Sequence, residues 1–400
     1  MIAPARRAAY EVVRRVFEDD AYADRALRTA VEGLDERDRA LAQRLAYGTV
    51  QRKRTLDHAI EAIGKRPTRK LDPPVLAALR LGAYQLGYTD LSAHAVVDDS
   101  VELVRRARLE RAVPFTNAVM RRLTEKLRGL LGSLPEGPLK HSYPDWIYDV
   151  WKRDLGEADA LSLMRAQNEP SETVVRLVRG DPRGEPTDVP GAYRVERVDE
   201  QAVEEGRIWP QSRASQLAAL VVGSQEGERV LDVAAAPGGK ATMLQGEVTA
   251  VELHPGRARE LRENVKRLGA ANVSVVEADA TDLPPELVDF DRAIVDAPCS
   301  GLGVLARRPD LRWRARPLPD LQLALMREAA ERTKPGGTIV YSVCTINADE
   351  NEAVVDALGL EVESLSEEWP QYAHPKRPEF LLTRPDQHRT SGFFIARLRV

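Results

Sequence analysis

The sequence predicts three successive folds: an all-α domain, a small α+β domain and an α/β domain built on a parallel sheet. Apolar residues recur at helical spacing through most of the first 127 residues, beginning with Ala8, Val12 and Val16. In the second half of the chain, short apolar runs of strand length alternate with helical stretches. This alternation is typical of βαβ units, which build parallel sheets.

Composition limits the class of protein. The chain has 400 residues, of which 43% are hydrophobic and 30% charged, as expected for two or three globular domains. It contains no run of eighteen apolar residues and no signal-peptide pattern near Met1, so we expect a cytoplasmic protein without a membrane partner. We also expect a monomer. Its two cysteines, Cys299 and Cys344, exclude a disulfide framework, and with six scattered histidines they predict no metal site.

The first domain is predicted to span residues 1–128 and to be basic. It contains 25 Lys and Arg against 18 Asp and Glu, a net charge of +7, whereas the remainder of the chain carries −11. A basic domain fits a polyanionic partner, although surplus charge on solvated helix faces would give the same count. Amphipathic patterns predict helices over Asp38–Val50, Leu56–Ile63, Pro74–Gly87, Ala95–Arg106 and Pro114–Leu127.

Glycine and proline mark the next boundary. Residues 129–140 contain three glycines and two prolines, which predicts a linker. Residues 141–205 are then interpreted as the small α+β domain, with strands near Thr173–Arg179 and Tyr193–Val198. The α/β domain takes residues 206–400.

The α/β domain is organised around Arg229–Met243. An apolar strand ends at Val233, the turn Ala234-Ala235-Ala236-Pro237-Gly238-Gly239 cannot continue it, and a helix is predicted to begin near Lys240. Two glycines let backbone amides approach a ligand closely, and parallel sheets bind ligands outside the carboxyl ends of their strands.

Acidic residues follow the next two predicted strands. Val248–Leu253 contains Glu252, which can accept hydrogen bonds from ribose hydroxyls, and Asp279 follows Val273–Glu277, where a carboxylate can accept from an adenine amine. This order, without a phosphate-binding G-x-G-x-x-G motif, favours an S-adenosylmethionine-dependent methyltransferase over a dinucleotide enzyme. Acids that cap strand ends in another kind of α/β domain are the alternative.

Both cysteines also fall at strand ends. Cys299 lies in the segment Asp296-Ala297-Pro298-Cys299 after one predicted strand, and Cys344 follows the next. Carbon 5 of a pyrimidine is a poor nucleophile until a thiolate adds to carbon 6, so cysteine suits methylation at that carbon. The reaction also needs an acid at the N3/N4 edge of the base, and Asp296 is placed for that task.

Long motifs support this chemistry. The segments LDVAAAPGGKAT, DRAIVDAPCSGLGVLARRPDLRW, KPGGTIVYSVCTINADENE and GFFIARL resemble the signature motifs of the Sun/RsmB family of RNA cytosine-5 methyltransferases. LAYGTVQRKRTLDHAI, VLAALRLGAYQLGYTD and VPFTNAVMRRL resemble the NusB-like RNA-binding domain. The resemblance implies a class I S-adenosylmethionine-dependent methyltransferase fold, Rossmann-like, behind a NusB-like helical bundle. Its implied substrate is 16S ribosomal RNA.

The resemblance also implies roles for individual residues. Cys344 would be the nucleophile, Cys299 would assist product release, and Asp296 and Lys240 would act beside them. The implied cofactor-binding set is Ala234, Ala235, Ala236, Pro237, Gly238, Gly239, Lys240, Glu252, Asp279 and Asp296. Candidate phosphate contacts in the helical domain are Arg6, Arg7, Arg14, Arg15 and the cluster Arg52-Lys53-Arg54.

Three other functions stay open. A transfer-RNA cytosine-5 methyltransferase would carry the same catalytic motifs. An amino-group methyltransferase would want an Asp/Asn-Pro-Pro-aromatic turn where this chain has Asp296-Ala297-Pro298-Cys299. A non-catalytic RNA-binding or ribosome-assembly protein would have no need of the intact cysteine pair.

Overall fold

The structure is a computed structural model that describes residues 2–181 and 183–400. These residues form two compact units. The helical unit contains the chain up to Glu169 together with Leu305–Arg314, and the sheet unit contains Pro170–Val304 and Ala315–Val400.

The helical unit is built from amphipathic helices whose apolar stripes meet in one core. Val12, Leu45, Leu56, Leu79 and Leu123 are among its fully buried side chains. Its helices are α1 Pro4–Glu18, α2 Ala23–Ala30, α3 Glu36–Gln51, α4 Lys53–Gly64, α5 Pro73–Tyr88, α6 Ala93–Arg106, α7 Val113–Ser133, α8 Pro138–His141, α9 Asp145–Leu155 and α10 Glu157–Ala166.

The predicted linker at residues 129–140 differs from the observed structure. Helix α7 continues to Ser133, and residues 138–141 form α8. Leu127 is buried and Leu131 packs against the same core one turn later, so the apolar stripe carries the helix past Gly129. The compact units divide between residues 169 and 170, and the finer boundaries at residues 128, 140 and 205 stay predictions.

The sheet unit begins with a small antiparallel sheet. Its strands are β1 Val174–Leu177, β2 Glu185–Pro186, β3 Ala192–Arg194 and β4 Ile208–Pro210, in the order β2-β3-β1-β4. Helix α11, Glu200–Glu204, lies between β3 and β4 in the chain, and α12, Arg213–Val221, leads to the main sheet.

The main sheet has eight strands, five of them parallel. Its order is β10-β12-β9-β8-β5-β6-β7, and β11 pairs with β12. Strands β5 to β9 run parallel, whereas β12 runs antiparallel to β9, β10 and β11. The strands are β5 Arg229–Asp232, β6 Glu247–Glu252, β7 Val273–Glu277, β8 Phe290–Asp296, β9 Thr333–Val343, β10 Glu361–Glu363, β11 Leu381–Thr383 and β12 Phe393–Arg399.

The remaining helices connect these strands. They are α13 Pro255–Leu268, α14 Leu311–Arg314, α15 Pro319–Arg332, α16 Glu352–Leu358 and α17 Pro385–His388, of which α14 belongs to the helical unit. Strand order reverses at β5, which has β6 on one side and β8 on the other. Open α/β sheets bind ligands at such a point, outside the carboxyl ends of the strands.

The helix predicted to begin near Lys240 is one 3₁₀ turn, Ala241–Met243. Strand β6 starts at Glu247 and Gly246 adopts a φ of +79°, so few residues are left for a helix between the turn and the strand. Across the described residues, no helix combines the length and the apolar character that a bilayer crossing requires.

Candidate active site

The turn after β5 is held by side chains that bind its carbonyl groups. Arg257 Nη2 donates to the Ala236 carbonyl oxygen at 2.8 Å, and Asn264 Nδ2 donates to that of Pro237 at 2.8 Å. Arg176 Nη1 donates to the Gly239 carbonyl oxygen at 2.8 Å. Because the C=O and N–H of a trans peptide point in opposite directions, the Lys240 amide faces away from Arg176.

Glycine is required in this turn by close packing. Gly238 has a φ of +103°, and a Cβ there would lie 2.7 Å from Leu261 Cδ1. A Cβ on Gly239 would lie 2.9 Å from Trp209 Nε1. Arg176 is buried and also donates to Thr242 Oγ1 at 2.9 Å, so its guanidinium holds the turn at two points.

Two of the expected acids lie at successive strand ends in different states of exposure. Glu252 is buried; its Oε1 accepts from the His254 amide at 3.0 Å, and its Oε2 lies 3.6 Å from Arg257 Nε. Asp279 is exposed, and its Oδ1 accepts from the amide and the hydroxyl of Thr281. These two hydrogen bonds lower the pKa of Asp279.

Sequence reasoning missed a third acid, Asp232, the last residue of β5. It is 1% exposed, and neither carboxylate oxygen accepts a hydrogen bond of normal geometry from the described residues. Burial, assisted by the negative charge of Asp296, raises its pKa to about 7. An acid at the end of an apolar strand, directly before a glycine turn, is the signal that could have identified it.

The two thiols meet beyond β8 and β9. Cys299 Sγ and Cys344 Sγ lie 3.4 Å apart, and both side chains are partly exposed. The hydrogen bond between them raises the pKa of Cys299 and lowers that of Cys344. One proton therefore stays on Cys299, and Cys344 carries the more available thiolate.

Lys240 and Asp296 form an ion pair beside the thiols. Lys240 Nζ donates to Asp296 Oδ2 at 2.5 Å, and the Ser342 hydroxyl donates to Asp296 Oδ1 at 2.8 Å. Strand register explains the second contact, because Asp296 on β8 pairs with Ser342 on β9. The Lys240 ammonium also lies 5.4 Å from the centre of the Phe393 ring on β12.

Comparison with known proteins agrees with this geometry. The family description "16S rRNA methyltransferase RsmB/F" matches residues 219–399, and the NusB family matches residues 3–125. The probable ribosomal RNA small subunit methyltransferase B of a Synechocystis species is 32% identical over 99% of both chains. The corresponding Thermus thermophilus enzyme is 37% identical over 84% of this chain and 81% of its own. A crystal structure of the protein PH0851 has a TM-score of 0.81 at 24% identity, over 100% of this chain and 99% of that one, and supports the fold.

The chain belongs to the RsmB/F methyltransferase family. The predicted family and the predicted fold class, a helical NusB-like region followed by a Rossmann-like domain, are confirmed. S-adenosylmethionine is the cofactor of this methyltransferase, also as predicted.

The candidate phosphate contacts of the NusB-like region are mostly engaged within the helical unit. Arg6 is bound to Asp99 at 2.6 Å and Gln85 at 2.7 Å, and Arg54 binds Asp145 at 2.7 Å. Of the other candidate residues, one forms an ion pair, two lie over aromatic rings and two are partly or fully exposed to solvent. Arg14 pairs with Glu18 at 2.7 Å, Arg52 and Lys53 lie over the Tyr88 and Trp313 rings, Arg15 is half-exposed, and Arg7 is exposed.

The helical unit of this RsmB/F protein also contains a segment from the methyltransferase half. Arg312 is fully buried and donates to carbonyl groups, among them that of Gln167 at 2.8 Å, and its guanidinium lies 3.9 Å from the Tyr143 ring centre. Trp313 Nε1 donates to the Val50 carbonyl at 2.7 Å. The helical unit therefore includes residues 305–314, and sequence periodicity gave no sign of this.

Proposed function

We propose that this protein transfers a methyl group to carbon 5 of a cytosine in 16S ribosomal RNA through a covalent bond between Cys344 and carbon 6. The observation that carries the proposal is the 3.4 Å separation of the two sulfur atoms, next to the Lys240–Asp296 ion pair. Methylation at an oxygen or at an exocyclic amine needs no thiol, whereas this site presents two.

Cys344 is the proposed nucleophile. Its pKa is lowered by the hydrogen bond from Cys299. The positive charge of Lys240 acts in the same direction, whereas burial and the negative charge of Asp296 oppose it. A lower pKa places more of the side chain in the thiolate form, which is the form that attacks. Addition of the Cys344 sulfur to carbon 6 moves an electron pair into the ring and makes carbon 5 nucleophilic.

Lys240 and Asp296 are proposed to receive the charge that this addition creates. Asp296 is held by two donors, Lys240 and Ser342, so its carboxylate has a fixed orientation. The proton shared between Lys240 and Asp296 would move to N3 of the base as electron density arrives there. The carboxylate can also accept from the exocyclic amine, which distinguishes cytosine from uracil.

Cys299 is proposed to act in product release. After methylation, solvent water takes the proton from carbon 5, the double bond to carbon 6 re-forms and the Cys344 sulfur leaves as a thiolate. The N3 proton returns to the Lys240–Asp296 pair. Cys299 keeps its own proton because its pKa is raised, and its thiol lies within hydrogen-bonding distance of the leaving sulfur. Donation of that hydrogen bond stabilises the leaving thiolate.

S-adenosylmethionine supplies an electrophilic methyl group when it is bound. The residues fit this cofactor: the amide-rich turn at 234–240, the buried carboxylate of Glu252 and the exposed carboxylate of Asp279 follow three successive strands. Asp232 adds a buried carboxylate whose oxygens accept no hydrogen bond of normal geometry from the described residues, which suits it to the ammonium group of the methionine portion.

The choice of RNA rests on the relatives. The family description names 16S rRNA, and the Synechocystis and Thermus thermophilus relatives are named as small-subunit ribosomal RNA methyltransferases. We infer a ribosomal RNA substrate, with the basic NusB-like region contributing affinity for phosphate groups. Methylation of transfer RNA and a non-catalytic role in ribosome assembly are outcomes that the following experiment separates.

The test compares Cys344→Ala and Cys299→Ala on denaturing gels after incubation with 16S RNA and S-adenosylmethionine. Cys344→Ala removes the attacking sulfur, so no methylation and no covalent RNA complex are expected. Cys299→Ala keeps the attack but weakens release, so it should methylate RNA and accumulate the complex.

Complex formation by Cys344→Ala instead of Cys299→Ala would reverse the two roles. Absence of a complex with either variant, together with unchanged methylation, would overturn the covalent mechanism. Bisulfite mapping of RNA from a deletion strain would identify the substrate, because loss of a protected cytosine in transfer RNA alone would exclude the ribosomal assignment.

A further inference from the structure

Glu350, in the segment between β9 and α16, is a buried carboxylate at the centre of a hydrogen-bond network. It is 0% exposed. Its Oε1 accepts from the Ser300 amide at 2.9 Å, the Leu318 amide at 3.1 Å and Gln322 Nε2 at 3.0 Å. Its Oε2 accepts from Asn347 Nδ2 at 3.1 Å and from the Ser300 hydroxyl.

This network holds the backbone on both sides of Cys299. Ser300, which follows Cys299, binds Glu350 through both its amide and its hydroxyl. On the other side, Gln322 Nε2 donates to the Pro298 carbonyl at 2.9 Å while it also binds Glu350. The position of the Cys299 sulfur therefore depends on one carboxylate that does not itself reach the thiols.

The same network reaches the nucleophile. The Ser300 and Thr345 hydroxyl oxygens lie 2.7 Å apart, and Thr345 directly follows Cys344. The Gly303 amide donates to the Cys344 carbonyl at 3.0 Å. The two cysteine segments are thus joined through Ser300, and Glu350 fixes Ser300.

A fully buried carboxylate needs several hydrogen-bond donors if it is not to destabilise the fold. Burying a carboxylate costs free energy, which five donors offset here. The pKa of Cys299 is raised by the hydrogen bond to Cys344 and by burial, and the negative charge of Glu350 acts in the same direction. A neutral side chain could accept most of the same hydrogen bonds, but it would not favour the protonated thiol.

We propose that Glu350 is a positioning residue for product release, which holds the Cys299 segment so that its protonated thiol stays next to Cys344. This inference rests on the proposed function, since it assigns Glu350 to the release step of that reaction. Glu350 acts through Cys299 and Ser300 and is not itself in contact with the reacting atoms.

The test compares Glu350→Gln with Asp349→Asn. Asp349 is the neighbouring carboxylate and is exposed, so its substitution removes a charge from the same segment and leaves the network in place. Glu350→Gln should accumulate the covalent RNA complex as Cys299→Ala does, with kcat lowered about tenfold and KM for RNA changed less than about twofold. Asp349→Asn should resemble the wild type.

A second readout does not depend on the reaction. In a Cys344→Ala background, the rate at which iodoacetamide labels Cys299 is measured by mass spectrometry, with and without Glu350→Gln. Loss of the charge and loosening of the segment should speed labelling about fivefold or more, whereas Asp349→Asn should leave the rate unchanged. Restoration of slow labelling by Glu350→Asp would support the role of the charge.

Cofactor binding by calorimetry checks that the variants fold. If Glu350→Gln does not bind S-adenosylmethionine, Ser300→Ala takes its place, because it removes the hydroxyl between the two segments and should slow release about threefold or more. Altered labelling in Glu350→Gln without any covalent complex in Cys299→Ala would refute the proposed function and its release step, while still showing that Glu350 holds the Cys299 segment. Complex formation in Cys299→Ala, with Glu350→Gln matching Asp349→Asn in both readouts, would overturn the positioning role.

Discussion

Substitution of Asp232 by Asn tests whether the carboxylate at the end of β5 is protonated in the free enzyme. The two side chains have almost the same volume, so the change mainly removes the ability to ionise. Asp232 has a pKa of about 7 in the folded chain because burial penalises its charge, whereas its ordinary value is 3.8. Between these two values, the folded state holds a proton that the unfolded state has lost.

The sign of the effect on stability follows from this difference. Where the folded state binds more protons, the free energy of unfolding falls as pH rises, and the fall ends once pH exceeds the folded pKa. Each pKa unit corresponds to about 1.4 kcal/mol, so raising the pH from 5 to 7.5 should cost the wild type roughly 2–3 kcal/mol through Asp232 alone. Asp232→Asn lacks this contribution.

The assay is urea unfolding of both proteins at pH 5 and pH 7.5, followed by circular dichroism. The wild type should lose its stability advantage over Asp232→Asn between the two pH values, because only the wild type must bury a charge at the higher one. Equal wild-type-minus-variant differences at pH 5 and pH 7.5 would refute the reasoning. The cofactor provides a check, since its ammonium group should favour the ionised carboxylate and drive proton release on binding near pH 6.

Two further substitutions test the remaining parts of the structure. Glu252→Ala should weaken S-adenosylmethionine binding about tenfold or more in calorimetry, since a hydrogen bond to a charged group contributes about 1.5–3 kcal/mol, and unchanged affinity would remove Glu252 from the cofactor set. Arg312→Met should lower the stability of the helical unit by about 2–4 kcal/mol in hydrogen exchange, because it leaves buried carbonyl groups without a donor. The exposed Arg316→Met should change it by less than about 0.5 kcal/mol, and equal effects of the two would contradict the structural role of Arg312.

Much of the fold follows from periodicity, because local patterns decide helices and strands. The predicted strand Val273–Glu277 is observed with the same ends. Proline at the start of α13 and Gly269 in a left-handed conformation after it mark that helix in the sequence itself. Such signals act over a few residues and need no knowledge of the tertiary structure.

The parts that could not be predicted depend on contacts between distant residues. Arg312 and Trp313 follow the Cys299 segment in the chain, yet they lie within the helical unit against residues more than 140 positions earlier. The proposed phosphate contacts stay a prediction, and the sequence could not show that Arg6 has Asp99 as a partner. A charge count gives the net charge of a domain, but it does not show which charged side chains form ion pairs within that domain.

In the candidate site, too, the sequence predicted the order of the residues along the chain but not the distances between them. The sequence showed the order in which the turn, the acids and the cysteines follow one another. It could not show their pKa values, because these depend on the distances between the groups and on burial. Asp232 illustrates this: its position after an apolar strand is visible in the sequence, whereas its raised pKa arises only from complete burial and from the nearby Asp296.

The two cysteines have the same chemistry in isolation, so their different roles must come from what surrounds them. The hydrogen bond between the two thiols lowers the pKa of Cys344 and raises that of Cys299, and burial and the negative charge of Glu350 raise the pKa of Cys299 further. A single proton shared across 3.4 Å therefore rests on Cys299. Because addition needs a thiolate and release needs a hydrogen-bond donor, this one proton prepares both steps before RNA binds.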